Sequence, residues 1–68
     1  MYTVRRLHEQ RTVNQPDARV EASNHRAAAA LSQLATPGAR LIVEGAGVVV
    51  RFHVDARGRL VEQSRYAA

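Results

Sequence analysis

The chain reads as a single small α+β domain. It is expected to form a curved antiparallel sheet of about five strands with one helix packed on one face, in the order β-β-α-β-β-β. Three observations predict this. The hydrophobic period changes from that of a strand to that of a helix at Ser23: Ala18-Arg19-Val20-Glu21-Ala22 alternates apolar and charged residues, whereas Ala27, Ala30, Leu31, Leu34 and Ala35 recur along one helix face. Val48 to Val54 alternates without interruption, with Val48, Val50, Phe52 and Val54 on one side and Val49, Arg51 and His53 on the other. Turn-forming residues separate the elements at Asn14-Gln15-Pro16-Asp17, Pro37-Gly38, Gly45-Ala46-Gly47 and Asp55-Ala56-Arg57-Gly58.

The first element starts with Tyr2, Thr3 and Val4, residues that favour strands, and places Tyr2 and Val4 on one face. The turn at Asn14–Asp17 makes it the first arm of a hairpin, about 2–13 paired with about 18–22. Ser23 is a favoured N-cap residue, and the helix is expected from about Asn24 to Ala35, where Pro37-Gly38 stops it. Its buried face is mostly alanine, anchored by Leu31 and Leu34, with His25, Arg26, Ser32 and Gln33 on or near the opposite side. Leu41-Ile42-Val43 is the next strand, ended by Glu44 and a glycine-containing turn. After Val48–Val54, Asp55 and Gly58 suit the first and last positions of a type I turn with a left-handed final residue. Arg59 to Tyr66 returns as the last strand. Leu31, Leu34, Val48, Val50, Phe52 and Val54 are the expected core.

Sixty-eight residues make one domain, residues 1–68, near the lower limit at which a single core suffices. There is no cysteine, so neither a disulfide nor a thiolate zinc site supplements that core. Such a domain is a natural candidate for homodimer formation or for docking on a larger protein or ribonucleoprotein complex. The positive charge is entirely arginine: ten Arg and no Lys against six acidic residues, for a net charge of +4. Guanidinium groups are planar, bidentate and weakly hydrated, which suits phosphate, carboxylate and aromatic contacts. The charge favours acidic partners, either nucleic acid bound nonspecifically through its phosphates or a protein with an acidic groove. The amino terminus lacks an apolar signal core and no apolar run is long enough to span a membrane. A soluble cytoplasmic protein without a membrane partner is the expectation.

The residues that could carry chemistry are few. His8, His25 and His53 lie on three different elements, and no spacing pairs two of them as metal ligands. Ser23, His25 and Asp17 could be assembled into a nucleophilic arrangement only by ignoring geometry, because Ser23 serves as a cap and no nucleophile elbow is present. Gly45-Ala46-Gly47 lacks the further glycine and following helix of a phosphate-binding loop. No cofactor, metal site or catalytic residue is expected, and a small ribonuclease using Arg and His ranks behind the binding readings. The expected binding residues are Arg51 and His53, on the sheet face opposite Phe52, with Arg57 and Arg59 flanking the last turn. Arg5 on the first strand and Arg65 on the last extend this patch if their strands lie beside it.

The run Tyr2-Thr3-Val4-Arg5-Arg6-Leu7, followed by a polar hairpin loop and by Ala18-Arg19-Val20-Glu21-Ala22-Ser23 leading into an alanine-rich helix, resembles small phage-encoded anti-CRISPR proteins directed at type I surveillance complexes. Gly38-Ala39-Arg40-Leu41-Ile42-Val43-Glu44, a glycine-containing turn and two further strands continue the pattern over most of the chain. The resemblance implies a non-enzymatic inhibitor that docks on the guide-RNA backbone assembly and obstructs target-DNA binding. This chain departs from that group in being arginine-rich and lysine-free, and no functional residue transfers by motif.

Overall fold

A computed structural model of the chain describes residues 1–7, 18–32 and 37–68. Five strands and one helix follow in the expected order: β1 (Tyr2–Leu7), β2 (Ala18–Val20), α1 (His25–Leu31), β3 (Arg40–Gly45), β4 (Val48–Val54) and β5 (Leu60–Ala67). They form one sheet of spatial order β2-β1-β3-β4-β5, antiparallel at every pairing. Both β2 and β3 run opposite to β1, so the chain leaves β2, crosses the sheet through α1 and enters β3 on the far side of β1. The helix therefore lies over the sheet, against β1, β3 and β5.

The core lies between that helix and the sheet. Val4, Leu41, Val43, Val50, Phe52 and Val54 project to the helix side and are buried, together with Ala28, Ala29 and Ala39. Strand alternation explains the selection, since partners in an antiparallel ladder share a face: Val4 stands opposite Val43, Val43 opposite Val50, and Leu41 opposite Phe52. Val48, at the edge of this cluster, is only partly buried.

The helix departs from expectation in its cap and its rotation. The N-cap is Asn24, not Ser23: its backbone is extended and its Oδ1 accepts from the Ala27 amide at 2.8 Å. Ser23 is exposed. The buried stripe is His25, Ala28, Ala29 and Ser32, so the helix is turned by more than a quarter turn from the stripe centred on Leu31 and Leu34. Leu31 is 61 % exposed. Leu34, Ala35 and Gln33 lie outside the described residues.

The physical reason for this rotation is His25. Its Nε2–H donates to the carbonyls of both Gly45 (3.0 Å) and Val48 (3.1 Å), and its ring meets Tyr2 edge-on at 4.7 Å. Two carbonyl acceptors on one nitrogen require that nitrogen to carry the hydrogen. The stripe beside His25 carries alanine at 28 and 29, small buried side chains that let the helix lie close to the sheet. Ser32 completes the stripe by donating its hydroxyl to the Ala28 carbonyl at 2.9 Å.

The two hairpin turns behave as their sequences imply, with one refinement. In the β3–β4 turn the left-handed residues are Ala46 (φ 52°) and Gly47 (φ 75°), the pattern of a type I′ connection between the paired Gly45 and Val48. Gly45 has a different task. A Cβ there would overlap the Tyr2 ring, which packs directly on its backbone. In the β4–β5 turn the Gly58 amide donates to the Asp55 carbonyl at 3.0 Å, Gly58 has φ 77°, and Asp55 Oδ1 accepts from the Arg57 and Arg59 amides, each at 2.9 Å.

Candidate binding face

Among the described residues, the helix covers one side of the sheet and no element covers the other. Successive strand residues alternate between the two sides, so the register assigns each side chain to a face. Three rows cross the open face: Arg19–Thr3–Glu44–Val49–Tyr66, then Arg5–Ile42–Arg51–Ser64, then Leu7–Arg40–His53–Val61. Among the described strand residues, this face carries Arg5, Arg19, Arg40 and Arg51 against a single carboxylate, Glu44. The arginines are exposed, and Arg5 and Arg51 flank Ile42 on strands two apart, about 10 Å from one another.

A shallow depression of about 230 Å³ occupies the middle of the face. Thr3, Arg5, Glu44, Arg51 and Tyr66 surround it above Ile42 and Val49. The Arg51 guanidinium lies over the Tyr66 ring, 5.8 Å from its centroid, within cation–π range. Tyr66 stands directly opposite Val49 in the ladder and leaves it 7 % exposed, while Tyr66 itself is 46 % exposed.

Tyr66 reaches this face because β5 is irregular. Arg51 pairs with Ser64, but the next β4 residue, Phe52, pairs with Glu62, so Gln63 is an extra residue in β5. Leu60 and Glu62 share the helix side. Strict alternation would put Ser64 and Tyr66 there too; the bulge turns them to the open side and sends Arg65 to the helix side, opposite Val50.

The expected site residues thus separate into groups. Arg51, His53 and Arg5 share the open face. Arg59 continues it at the hairpin end, where its carbonyl accepts from the Asp55 amide at 2.9 Å, and Arg57 is exposed at the turn. Arg65 does not join them. It is on the helix side, where Nη2 donates to Glu62 Oε1 at 2.9 Å. That bond holds the Glu62 carboxyl below its ordinary value and raises Arg65. Arg19, Arg40 and Tyr66 belong to the face and were not among the expected residues. The alternation around Arg19 and Arg40 was visible in the chain, but their common side required the strand order.

The two described histidines are separated by the sheet. His25 is on the helix side with its Nε2 engaged by two carbonyls, whereas His53 is on the open side, half-buried, with Nδ1 lacking a hydrogen-bond partner. His8 and Asp17 lie outside the described residues. Among the described residues no three His, Cys, Asp or Glu side chains gather as a metal site, and no helix is long and apolar enough to cross a membrane.

Comparison with protein-family models, curated proteins and solved structures finds no match to this chain. The face must be interpreted from its own chemistry.

Proposed function

We propose that this is a non-catalytic binding protein that docks through the open face of its sheet on a larger nucleoprotein complex, and thereby obstructs that complex's access to target DNA. The observation that carries the reading is the common side of Arg5, Arg19, Arg40 and Arg51, on a face the helix leaves uncovered. Four guanidinium groups on one face of so small a domain attract a polyanionic surface and accelerate encounter with it. The resemblance to anti-CRISPR proteins agrees with a docking role.

The two described histidines favour docking over catalysis. His25 acts as a packing and hydrogen-bonding group between helix and sheet, and His53 stands across the sheet from it. A general acid–base pair requires two groups within reach of one substrate.

The test uses the tagged full chain as bait in a bacterial lysate, with co-purifying proteins and nucleic acid identified. The wild type is expected to retain a nucleoprotein complex and to reduce that complex's binding to target DNA. Arg51→Glu combined with Arg59→Glu should abolish both effects and leave the thermal melt nearly unchanged. His53→Ala should weaken retention modestly, whereas a nuclease would lose nearly all turnover in an assay of the same variant. Unchanged retention by the double charge reversal would sink the reading.

A further inference from the structure

We infer that the ligand of the open face is a single strand of nucleic acid, with one base stacked at the Arg51–Tyr66 pair and its phosphates running among the flanking arginines. This inference rests on the docking role proposed for the face and names the chemistry that role would recognise.

Three features select a single strand over a duplex or an acidic protein. First, the cations do not form an unbroken positive surface. Ile42 separates Arg5 from Arg51, and the Tyr66 ring, which covers Val49, continues the apolar ground beside them. Duplex phosphates or a carboxylate surface would gain nothing from that ground, whereas unpaired bases have apolar faces to bury on it. Second, the half-exposed Tyr66 ring and the guanidinium over it are both planar groups on which a base can stack, and stacking on either is a recurrent mode of single-strand recognition. Third, Glu44 lies at the depression beside them. A carboxylate repels phosphate but accepts a hydrogen bond from an exocyclic amine such as cytosine N4. In a duplex the one unpaired hydrogen of that amine lies inside the major groove, whereas in a single strand the amine can meet a carboxylate on a flat sheet face. Arg5, Arg19 and Arg40, on the same face as that pair, then supply the phosphate contacts. A strand of a few nucleotides fits a face whose five strands span about 19 Å.

The experiment measures fluorescence anisotropy of labelled twelve-nucleotide oligo-dC, oligo-dT and a twelve-base-pair duplex with the full-length protein, with polyglutamate as an acidic comparison. Oligo-dC is expected to bind about tenfold or more tightly than the duplex, with a salt slope corresponding to two to four phosphates, roughly −1.4 to −2.8. Tyr66→Ala should weaken single-strand binding about tenfold and leave duplex binding unchanged, while Tyr66→Phe keeps the wild-type affinity. Glu44→Ala, which removes the acceptor, should remove the preference for oligo-dC over oligo-dT. Melts of all variants establish that the fold is intact. Equal affinity for duplex and single strand, or a Tyr66→Ala variant that binds oligo-dC like the wild type, overturns the inference. So does binding of polyglutamate alone. In each of these cases the docking role survives if Arg51→Glu with Arg59→Glu still abolishes capture of the complex. Charge reversal that changes neither oligonucleotide binding nor capture overturns both.

Discussion

Arg51 and Tyr66 are diagonal neighbours across β4 and β5, and the guanidinium lies 5.8 Å from the ring centroid only because Gln63 bulges out of the ladder between the Phe52–Glu62 and Arg51–Ser64 pairs. With regular pairing from Leu60 onward, Tyr66 would project toward the helix. One extra residue therefore decides which side of the sheet carries the exposed aromatic ring.

Deleting Gln63 should undo that choice. The expected outcome is loss of nuclear Overhauser contacts between the Tyr66 ring and the Arg51 side chain, together with loss of binding by the open face. Retention of those contacts in the deletion variant would mean that the end of β5 is not positioned by the bulge.

The cap assignment separates two adjacent residues. Asn24→Ala removes the acceptor for the Ala27 amide and should cost about 0.5–2 kcal/mol. Ser23→Ala, at an exposed position, should stay within about 0.5 kcal/mol of the wild type. Urea unfolding of the two variants checks the order; equal losses would contradict the assignment.

Two large side chains distinguish the core from the helix surface. Phe52 is fully buried and Phe52→Ala should cost about 3–5 kcal/mol, a large share of the stability of a domain this size. Leu31 is mostly exposed, so Leu31→Ala should change stability by less than about 1 kcal/mol. A Leu31 variant that loses as much as the Phe52 variant would restore the stripe expected from periodicity.

The β3–β4 turn contains one position that can be improved and one that cannot be enlarged. Ala46 has φ 52°, so Ala46→Gly should stabilise by about 1 kcal/mol through relief of left-handed strain. Gly45→Ala should destabilise by about 1–3 kcal/mol, because its new methyl group meets the Tyr2 ring. In a Tyr2→Ala background the Gly45→Ala cost should shrink, and a double-mutant cycle without coupling would contradict the contact.

Acid titration should find Glu62 ionising below its ordinary value of 4.5, first because Arg65 donates a hydrogen bond to the carboxylate and then because of the guanidinium's charge. A lowered folded-state value means that any stabilisation by the pair is present above the unfolded carboxylate value and is lost as the pH falls through the folded one. Both groups are exposed, so solvent screens the pair and the titration midpoint, not the melt, reports it. Arg65→Gln should return the Glu62 midpoint, followed by carboxyl-carbon NMR, to the ordinary range.

Local signals in the chain were sufficient for element order, the two glycine-containing hairpins and the face of β4 that meets the helix. Those features rest on alternation and turn chemistry within a few residues, which operate before any tertiary contact forms. The rotation of the helix was not legible, because Ser23 and Asn24 are comparable caps and an alanine-rich segment offers two plausible stripes. The reach of His25 to the Gly45 and Val48 carbonyls chose between them. Membership of the binding face was also beyond local reading. Arg5, Arg19, Arg40 and Arg51 share a side through the order β2-β1-β3-β4, in which residues distant in sequence become neighbours. Tyr66 joined them and Arg65 left because a single unpaired residue reverses the alternation of everything beyond it, and that pairing exists only once β5 lies against β4.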